Sequence, residues 1–261
     1  MLAKCIHSGP ARVLVGVTGL LVIWEAVARS GLGPDTFFPP LSVLLPSFAG
    51  LLRQPETWDG ALLTMGRAIT GLSVAMFVTL LMATLATLWR PAYRGFEMLS
   101  DMAQTVPPAA LVPLMIFAVG LGAPMFLTIV AFASIWPLYS ATATGLAATE
   151  PVQLLVARAL GMSRPEQLLY ARAPAALPSI FTGLRVAAGF SLMATIAAEM
   201  LSGDQGLGAQ LYDYAFSLNV PEMYSILFII GVAGALLNTV QLLLEKVLLN
   251  WHTGQMKSTG E

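Results

Sequence analysis

Few residues of this sequence are placed where they could make or break covalent bonds. A serine lies between small residues in the stretch GLSVA (residues 71–75), but His7 and His252 lie outside the apolar segments, which argues against a Ser–His protease. The dipeptides Gly203-Asp204 and Tyr212-Asp213 faintly resemble motifs of the aspartyl intramembrane proteases. We interpret both aspartates as turn residues. No G-x-x-x-x-G-K-[ST] loop is present, so the chain does not hydrolyse ATP itself. We therefore predict that the protein is not an enzyme.

A long polar connection around residues 147–179 has the most specific local pattern. Thr149 is suited to cap a helix and Pro151 to begin it. The following apolar residues recur at helical spacing and make one apolar face, formed by Val152, Leu155, Val156, Ala159 and Leu160. Gly161 can take the left-handed conformation that ends a helix. The pattern predicts a short helix that stops at a glycine corner.

A second short helix is predicted directly after this corner. Ser163 is a suitable first cap, and Glu166 stands at the capping-box position. We expect this helix to stop near Pro174. Two interpretations of the helix pair remain open: a docking knob for a cytoplasmic partner that can approach Gly161 closely, or a surface pair that lies among lipid headgroups.

Composition places these elements in a membrane protein. The chain has 261 residues, of which 57% are hydrophobic and 10% charged, whereas soluble domains carry about 25% charged residues. Its net charge of −1 gives no reason to expect nucleic acid as a partner. The single cysteine, Cys5, excludes an internal disulfide and a multi-cysteine metal site. The apolar runs are about twice the length of barrel strands, so the predicted fold is an all-α, polytopic helical membrane protein.

We predict about six transmembrane helices in one membrane domain that covers residues 1–261. The predicted spans are residues 13–28, 68–88, 99–119, 125–146, 181–200 and 224–248. The polar connection of residues 147–179 then lies between spans four and five. Residues 30–62 and 201–222 form external segments.

The distribution of lysine and arginine predicts the orientation. With the N-terminus inside, ten basic residues fall on the cytoplasmic side and three, Arg29, Arg53 and Arg67, fall outside. Both termini and residues 147–179 are therefore predicted to be cytoplasmic. The basic start and the triplet Ala-Val-Ala at residues 26–28 also fit a cleavable signal peptide, an alternative that Glu25 argues against.

The polar connection resembles the cytoplasmic signature of the permease subunits of bacterial binding-protein-dependent ABC importers. That signature reads Glu-Ala-Ala, three residues, Gly, nine residues, Ile, one residue, Leu-Pro. Ala157, Gly161 and Pro174 match it at the right spacing, whereas Leu155 stands where the glutamate belongs. Val156, Ala171 and Ala173 also depart from the signature. The missing glutamate puts one polar contact or cap in doubt, and not the architecture.

A wider pattern resembles the nitrate, taurine and sulfonate branch of these permeases. It includes the stretches VARALGMS, PAALPSIFTGLRVAAG, AAEMLSGDQGLG and TVPPAALVPL, together with the spacing of Thr64, Arg67 and Gly71. The resemblance extends over most of residues 62–251. It specifies the family and leaves the substrate open.

The resemblance implies an ATP-driven importer of a small anion in the bacterial inner membrane. The implied partners are two ABC ATPase subunits, a second permease copy, which we expect to be identical, an external substrate-binding protein and the lipid bilayer. ATP and Mg²⁺ would be bound by the ATPase subunits, and no cofactor is expected in this chain. The alternative from another class is a passive channel or a scaffold subunit of a membrane complex.

Two sets of site residues follow from the resemblance. The set expected to couple to the ATPase comprises Leu155, Ala157, Arg158, Gly161, Met162, Ser163, Arg164 and Glu166. The set expected along the translocation pathway comprises Pro107, Pro108, Ser191, Met193, Thr195 and Glu199. For Glu199, a local pairing role is favoured over the mouth of the pathway. Pro107 and Pro108 are predicted to break the third span.

Overall fold

The computed structural model describes residues 9–30 and 37–249, and the regular elements in these ranges are helices. A 3₁₀ turn at Pro108–Ala110 and a π turn at Leu168–Arg172 interrupt the α-helices. The α-helices are α1 (Gly9–Arg29), α2 (Leu41–Leu51), α3 (Pro55–Leu88), α4 (Arg90–Ala103), α5 (Leu111–Val119), α6 (Ala123–Ala147), α7 (Pro151–Ala159), α8 (Arg164–Gln167), α9 (Ala173–Ser202), α10 (Leu207–Phe216) and α11 (Val220–Leu248). The predicted all-α membrane class is confirmed. Cys5, His7 and His252 lie outside the described residues.

Four helical stretches in the described ranges are long and apolar enough to cross a membrane. They are α3, α6, α11 and the continuous stretch Arg164–Ser202 that contains α9. The pair α4 and α5 forms a fifth span if the two are counted together. Helix α1 covers the predicted first span but is not among these candidates. The structure thus supports four or five of the six predicted spans.

The second span is much longer than predicted. Hydropathy marks only its apolar part, residues 68–88, whereas α3 begins at Pro55. Proline suits the first turn of a helix, because its missing N–H is not needed there. The predicted external segment, residues 30–62, accordingly contains α2 and the first turns of α3.

The third span is not the single helix predicted for residues 99–119. Helix α4 starts earlier, at Arg90, and the chain bends by 83° between α4 and the segment Pro108–Val119. Pro107 and Pro108 lie at this bend, as predicted, because neither can donate the backbone hydrogen bond that would continue the helix. The bend leaves two short helices in place of one span.

The predicted stop near Pro174 is wrong, because the helix continues through this residue. The π turn Leu168–Arg172 precedes α9, and the backbone N–H of Ala173 donates to the carbonyl of Leu168, five residues back. A wider turn of this kind lets a helix continue where proline disrupts the regular bonding. The second helix of the coupling segment and the fifth span therefore form one stretch, Arg164–Ser202.

Helix α6 lies at the centre of the fold and packs against α3 and α9, which also contact each other. Small residues allow these close approaches. A Cβ atom at Gly71 of α3 would come within 2.4 Å of Val130, and one at Gly183 of α9 within 2.5 Å of Ala141. Phe126, Ile129 and Val130 of α6 are fully buried in the resulting core.

Helix α11 packs mainly against α2 and α10 rather than against the central helices. Leu51, Leu207 and Ile226 form the buried centre of this second cluster. Nearer the other end of α11, Glu245 forms an ion pair with Arg185 of α9. This pair ties the peripheral helix to the central group.

Candidate functional site

The glycine corner after α7 has the geometry of a Schellman motif. Gly161 has a φ of +75°, in the left-handed region, as predicted. Its backbone N–H donates to the carbonyl of Arg158 at 2.9 Å, and the N–H of Met162 donates to the carbonyl of Ala157 at 3.0 Å. These two bonds satisfy carbonyls that the end of a helix would otherwise leave unpaired. The corner is thus a defined structure rather than an irregular loop.

The predicted cap of the second helix is confirmed. The Glu166 carboxylate accepts hydrogen bonds from the backbone N–H of Ser163 at 2.7 Å and from its hydroxyl at 2.6 Å. Thr149, in contrast, does not cap α7, because its hydroxyl donates backwards to the carbonyl of Leu146 at 3.1 Å. Glu150 occupies the cap position of α7 instead, with no side-chain cap bond.

The predicted apolar face of α7 is largely exposed, and part of it lines an open groove shared with Tyr170 and Pro174. Val152, Leu155, Val156 and Leu160 are 53–69% exposed, whereas Ala157 on the opposite side is buried. Burying four such side chains on a partner would contribute roughly 1.5–3 kcal/mol for each one that becomes fully buried. This face is therefore a strong candidate for contact with another molecule.

The corner is fastened to the membrane helices by hydrogen bonds to their ends. Arg172 donates to the carbonyl of Leu146 at the end of α6, at 3.3 Å, and Arg164 approaches the carbonyl of Leu88 at the end of α3, at 3.5 Å. Basic side chains at helix C-termini also interact favourably with the helix dipole. Both contacts join the segment that follows the corner to the ends of α3 and α6.

A charge network lies at the opposite end of the helices. Arg67 of α3 contacts the Glu199 carboxylate at 2.9 Å and the Asp204 carboxylate at 2.7 Å. It also donates to the carbonyl of Gln205 at 2.5 Å, and its guanidinium lies 3.6 Å from the centre of the Phe126 ring. Glu199 is fully buried, so the paired arginine offsets the cost of burying its charge. The local pairing role favoured for Glu199 is what the structure shows.

Glu199 also holds the start of α10. Its carboxylate accepts the backbone N–H of Gly208 at 3.0 Å, while the Thr64 hydroxyl accepts the N–H of Leu207 at 2.9 Å and donates to Glu199. A negative charge at this position also suits the positive end of the helix dipole. A Cβ atom at Gly206 would lie 2.2 Å from the Glu199 side chain, so the chain passes too closely for any larger residue.

The remaining residues of the predicted pathway set lie in different environments. Met193 is 67% exposed on α9, and Pro107 is exposed at the bend before α5. Ser191 and Thr195 are fully buried, and their hydroxyls donate to backbone carbonyls of their own helix. Because Ser191, Thr195 and Glu199 have no exposed surface in this conformation, the pathway prediction rests on Met193 and the two prolines.

The sequence alone did not identify the partners of Arg67. Asp204, interpreted as a turn residue, lies in the connection between α9 and α10 and also pairs with Arg67. Asp213, given the same interpretation, lies inside α10. The residues of this network belong to two patterns noted in the sequence, the Thr64–Arg67–Gly71 spacing and the stretch AAEMLSGDQGLG. Their contact could not be predicted, because Arg67 and Glu199 are more than 130 residues apart in the chain.

Comparison with known proteins gives the family. Residues 75–250 match the model of the binding-protein-dependent transport system inner membrane component. The chain belongs to this family. It is 30% identical over 246 residues to a bicarbonate transport system permease of Synechococcus elongatus, covering 90% of this chain and 88% of the relative. It is 28% identical to the nitrate import permease of Synechocystis (91% and 89% covered) and 26% identical to the taurine transport system permease of Escherichia coli (89% and 86%).

Membership of this family settles the general role. The chain is a transmembrane permease subunit of an ABC importer, a multi-pass component of the inner membrane that contributes the translocation pathway. ATP hydrolysis belongs to the partner ATPase, and the importer also requires a substrate-binding protein. A passive channel or a scaffold does not agree with these relatives.

Proposed function

We propose that two copies of this permease form the pathway for a small anion that an external binding protein delivers. The substrate class is supported by the relatives, whose names specify nitrate, bicarbonate and taurine transport. The chain agrees with this class, because in the described helices α9 and α11 Glu199 and Glu245 each pair with an arginine and present no free negative charge to an anion. Arg67 and Arg185 are already neutralised by carboxylates.

The coupling to ATP hydrolysis would occur at the corner around Gly161. The exposed apolar face of α7 offers the contact surface, and its anchors on α3 and α6 offer the mechanical link. When the ATPase subunits close on ATP, they would draw the two corners together and tilt the attached helices. Alternating access of this kind requires only that packed helices move as rigid units.

The coupling set has distinct parts in this proposal. Leu155, Arg158 and Arg164 are exposed and would meet the ATPase directly. Ala157, Gly161 and Met162 shape the corner, and the Ser163–Glu166 cap fixes the direction of the next helix. Leu155, which replaces the signature glutamate, extends the apolar face. The contact at this position would therefore be apolar rather than charged.

The pathway would run between the two permease copies along the exposed face of α9. Met193 faces outward from that helix, and Pro107 and Pro108 lie at the bend between α4 and α5. Both termini would be cytoplasmic, as the charge bias predicts. Residues 30–62 and 201–222 would receive the binding protein, with the charge network of Arg67 holding the second of these segments in place.

The exposed apolar face of α7 is the observation that carries this proposal. Its test is co-expression of the tagged permease with the ATPase subunit, followed by purification in detergent and measurement of subunit stoichiometry and of ATP-dependent anion uptake into proteoliposomes with binding protein. We expect two permeases and two ATPase subunits, and uptake that requires ATP. Purification without the ATPase, or uptake that is independent of ATP, would contradict the proposal.

A further inference from the structure

A cavity of about 390 Å³ opens at the end of the helices that carries the coupling corner. Three arginines line it: Arg90 and Arg94 from the first turns of α4, and Arg172 from the π turn before α9. Its remaining walls come from the last turns of α3 and α6 and from Tyr93. Four elements thus form one concave surface, and two of them, α4 and the π turn, bring positive charge to it.

The cavity has no carboxylate among its lining residues. Elsewhere in the described part of the chain, Arg29, Arg67 and Arg185 each pair with an acidic side chain. Arg90 and Arg94 make no such pair and no side-chain hydrogen bond within the described residues. Arg172 uses one N–H on the Leu146 carbonyl and keeps the others available. Like charges that share a cavity repel each other unless an anion joins them.

The next acidic residue along α4 forms no ion pair with these arginines within the described residues. Glu97 lies one turn further along α4 and accepts a hydrogen bond from the Tyr93 hydroxyl at 2.7 Å. It lines a smaller neighbouring cavity, together with Asp101 and the buried Tyr139, and not the cavity of the three arginines. The start of α4 adds the positive end of a 14-residue helix to the same wall.

We propose that this cavity binds an oxyanion, namely a phosphate, sulfate or sulfonate group. Guanidinium groups bind such groups through paired, charge-assisted hydrogen bonds. Two sources share this chemistry: the headgroup of an anionic phospholipid at the membrane surface, and a free anion in solution. An anion here would join α3, α4 and α6 to the coupling segment, since Arg172 belongs to that segment and Arg164 contacts the end of α3.

The site goes beyond the transport role, because it requires neither the ATPase nor the binding protein. Its test therefore uses the purified full-length chain alone, and a failure here leaves the importer proposal intact. The variants are Arg90→Gln and Arg94→Gln, both of exposed residues without partners, so the fold should be retained. Lys246→Gln is the matched control, because Lys246 is exposed at the end of α11 and removal of its charge changes the net charge equally.

One arm measures retained phosphatidylglycerol, against phosphatidylcholine, by native mass spectrometry. The other measures the shift of the unfolding temperature in sulfate, against chloride at equal ionic strength. We expect at least one arm to respond, and each arginine variant to weaken that response at least about fivefold, as loss of a charge-assisted hydrogen bond implies. Lys246→Gln should leave it unchanged.

The two arms also distinguish the sources. Only the part of each response that the arginine variants lose is assigned to the cavity, because sulfate also stabilises proteins in general by exclusion from their surface. Such a loss for phosphatidylglycerol alone identifies a lipid headgroup, one for sulfate alone identifies a soluble anion, and losses in both arms identify a cavity that accepts either. No response in either arm, or an equal loss in the Lys246→Gln control, would overturn the proposal and leave the arginines with a role in topology only.

Discussion

Gly161 has a left-handed backbone conformation and, in the proposed importer, would lie in the contact with the ATPase. We expect Gly161→Asp to uncouple ATP hydrolysis from transport while the chain stays folded. Aspartate tolerates the left-handed conformation better than most residues, and the position has open space around it. On contact with the ATPase, however, the new carboxylate would be buried without a partner, which costs several kcal/mol. ATPase association in detergent and substrate-stimulated ATP turnover are the measurements.

Gly161→Asn is the control for this change. Asparagine has nearly the same shape and tolerates the same backbone conformation, but it carries no charge. A loss in the aspartate variant that the asparagine variant largely avoids would locate the effect in charge burial. If Gly161→Asp binds and stimulates the ATPase normally, the corner lies among lipid headgroups instead, and the docking interpretation is wrong.

Arg67 is the residue on which the outer charge network depends. We expect Arg67→Ala to reduce the free energy of unfolding by roughly 3–5 kcal/mol, because it leaves the buried Glu199 carboxylate without its cation. Arg53→Ala, at an exposed position on the same side, should change the free energy by less than about 0.5 kcal/mol. Thermal unfolding of the purified variants measures both. Equal unfolding temperatures would show that the network adds nothing to stability.

The exposed apolar face of α7 leads to a second prediction, which does not depend on the glycine corner. We expect Leu155→Gln to weaken binding of the ATPase by roughly tenfold, about the cost of losing one buried apolar side chain. The stability of the permease itself should not change, because Leu155 is 60% exposed in the chain. Leu155→Met, which keeps the face apolar, is the control. The affinity is measured by titration of the purified ATPase against the detergent-solubilised permease. Equal affinities of the Leu155→Gln and Leu155→Met variants would contradict the prediction.

The same element illustrates what could be predicted from the sequence. The end of α7 and the start of α8 follow from local chemistry, since Gly161, Ser163 and Glu166 act on backbone groups only a few residues away. The continuation of the helix through Pro174 was missed. The π turn Leu168–Arg172 has no signature in the sequence, because the same residues also suit a regular helix that stops before a proline.

Long-range contacts explain the other differences. Hydropathy located the apolar centres of the spans, but the start of α3 at Pro55 and the meeting of Arg67 with Glu199 depend on which helices are neighbours. The buried positions of Ser191 and Thr195 depend on the same packing, because a hydroxyl on an apolar helix can face either a pathway or a neighbouring helix. A single sequence does not distinguish these two faces.

The orientation of the whole chain is predicted by its basic residues, of which ten fall on the cytoplasmic side and three outside. Cys5, which lies outside the described residues, should be cytoplasmic. A membrane-impermeant thiol reagent should leave it unlabelled in intact cells and label it after the inner membrane is broken. Labelling before permeabilisation would refute the predicted orientation. A mature chain that lacks its first residues would support the signal-peptide alternative instead.

Selectivity for the transported anion is a property of the whole importer rather than of one chain. We expect the permease to have little affinity of its own for the transported anion. A tight anion site inside a membrane requires a free arginine, lysine or helix N-terminus aimed at the ligand. Within the described spans, Arg67 and Arg185 are held by carboxylates, and the hydroxyls of Ser191 and Thr195 are bonded to the backbone.

The positive cavity formed by Arg90, Arg94 and Arg172 lies at the ends of the helices, where water competes for the ligand and weakens binding. Discrimination should therefore reside in the external binding protein. Calorimetric titration of the permease–ATPase complex with nitrate, bicarbonate, taurine and an aliphatic sulfonate, without binding protein, should give no saturable binding in the micromolar range. Micromolar binding that persists in the Arg90→Gln variant would contradict this expectation. It would require a site between the two permease copies, built from helix ends that a single chain leaves apart.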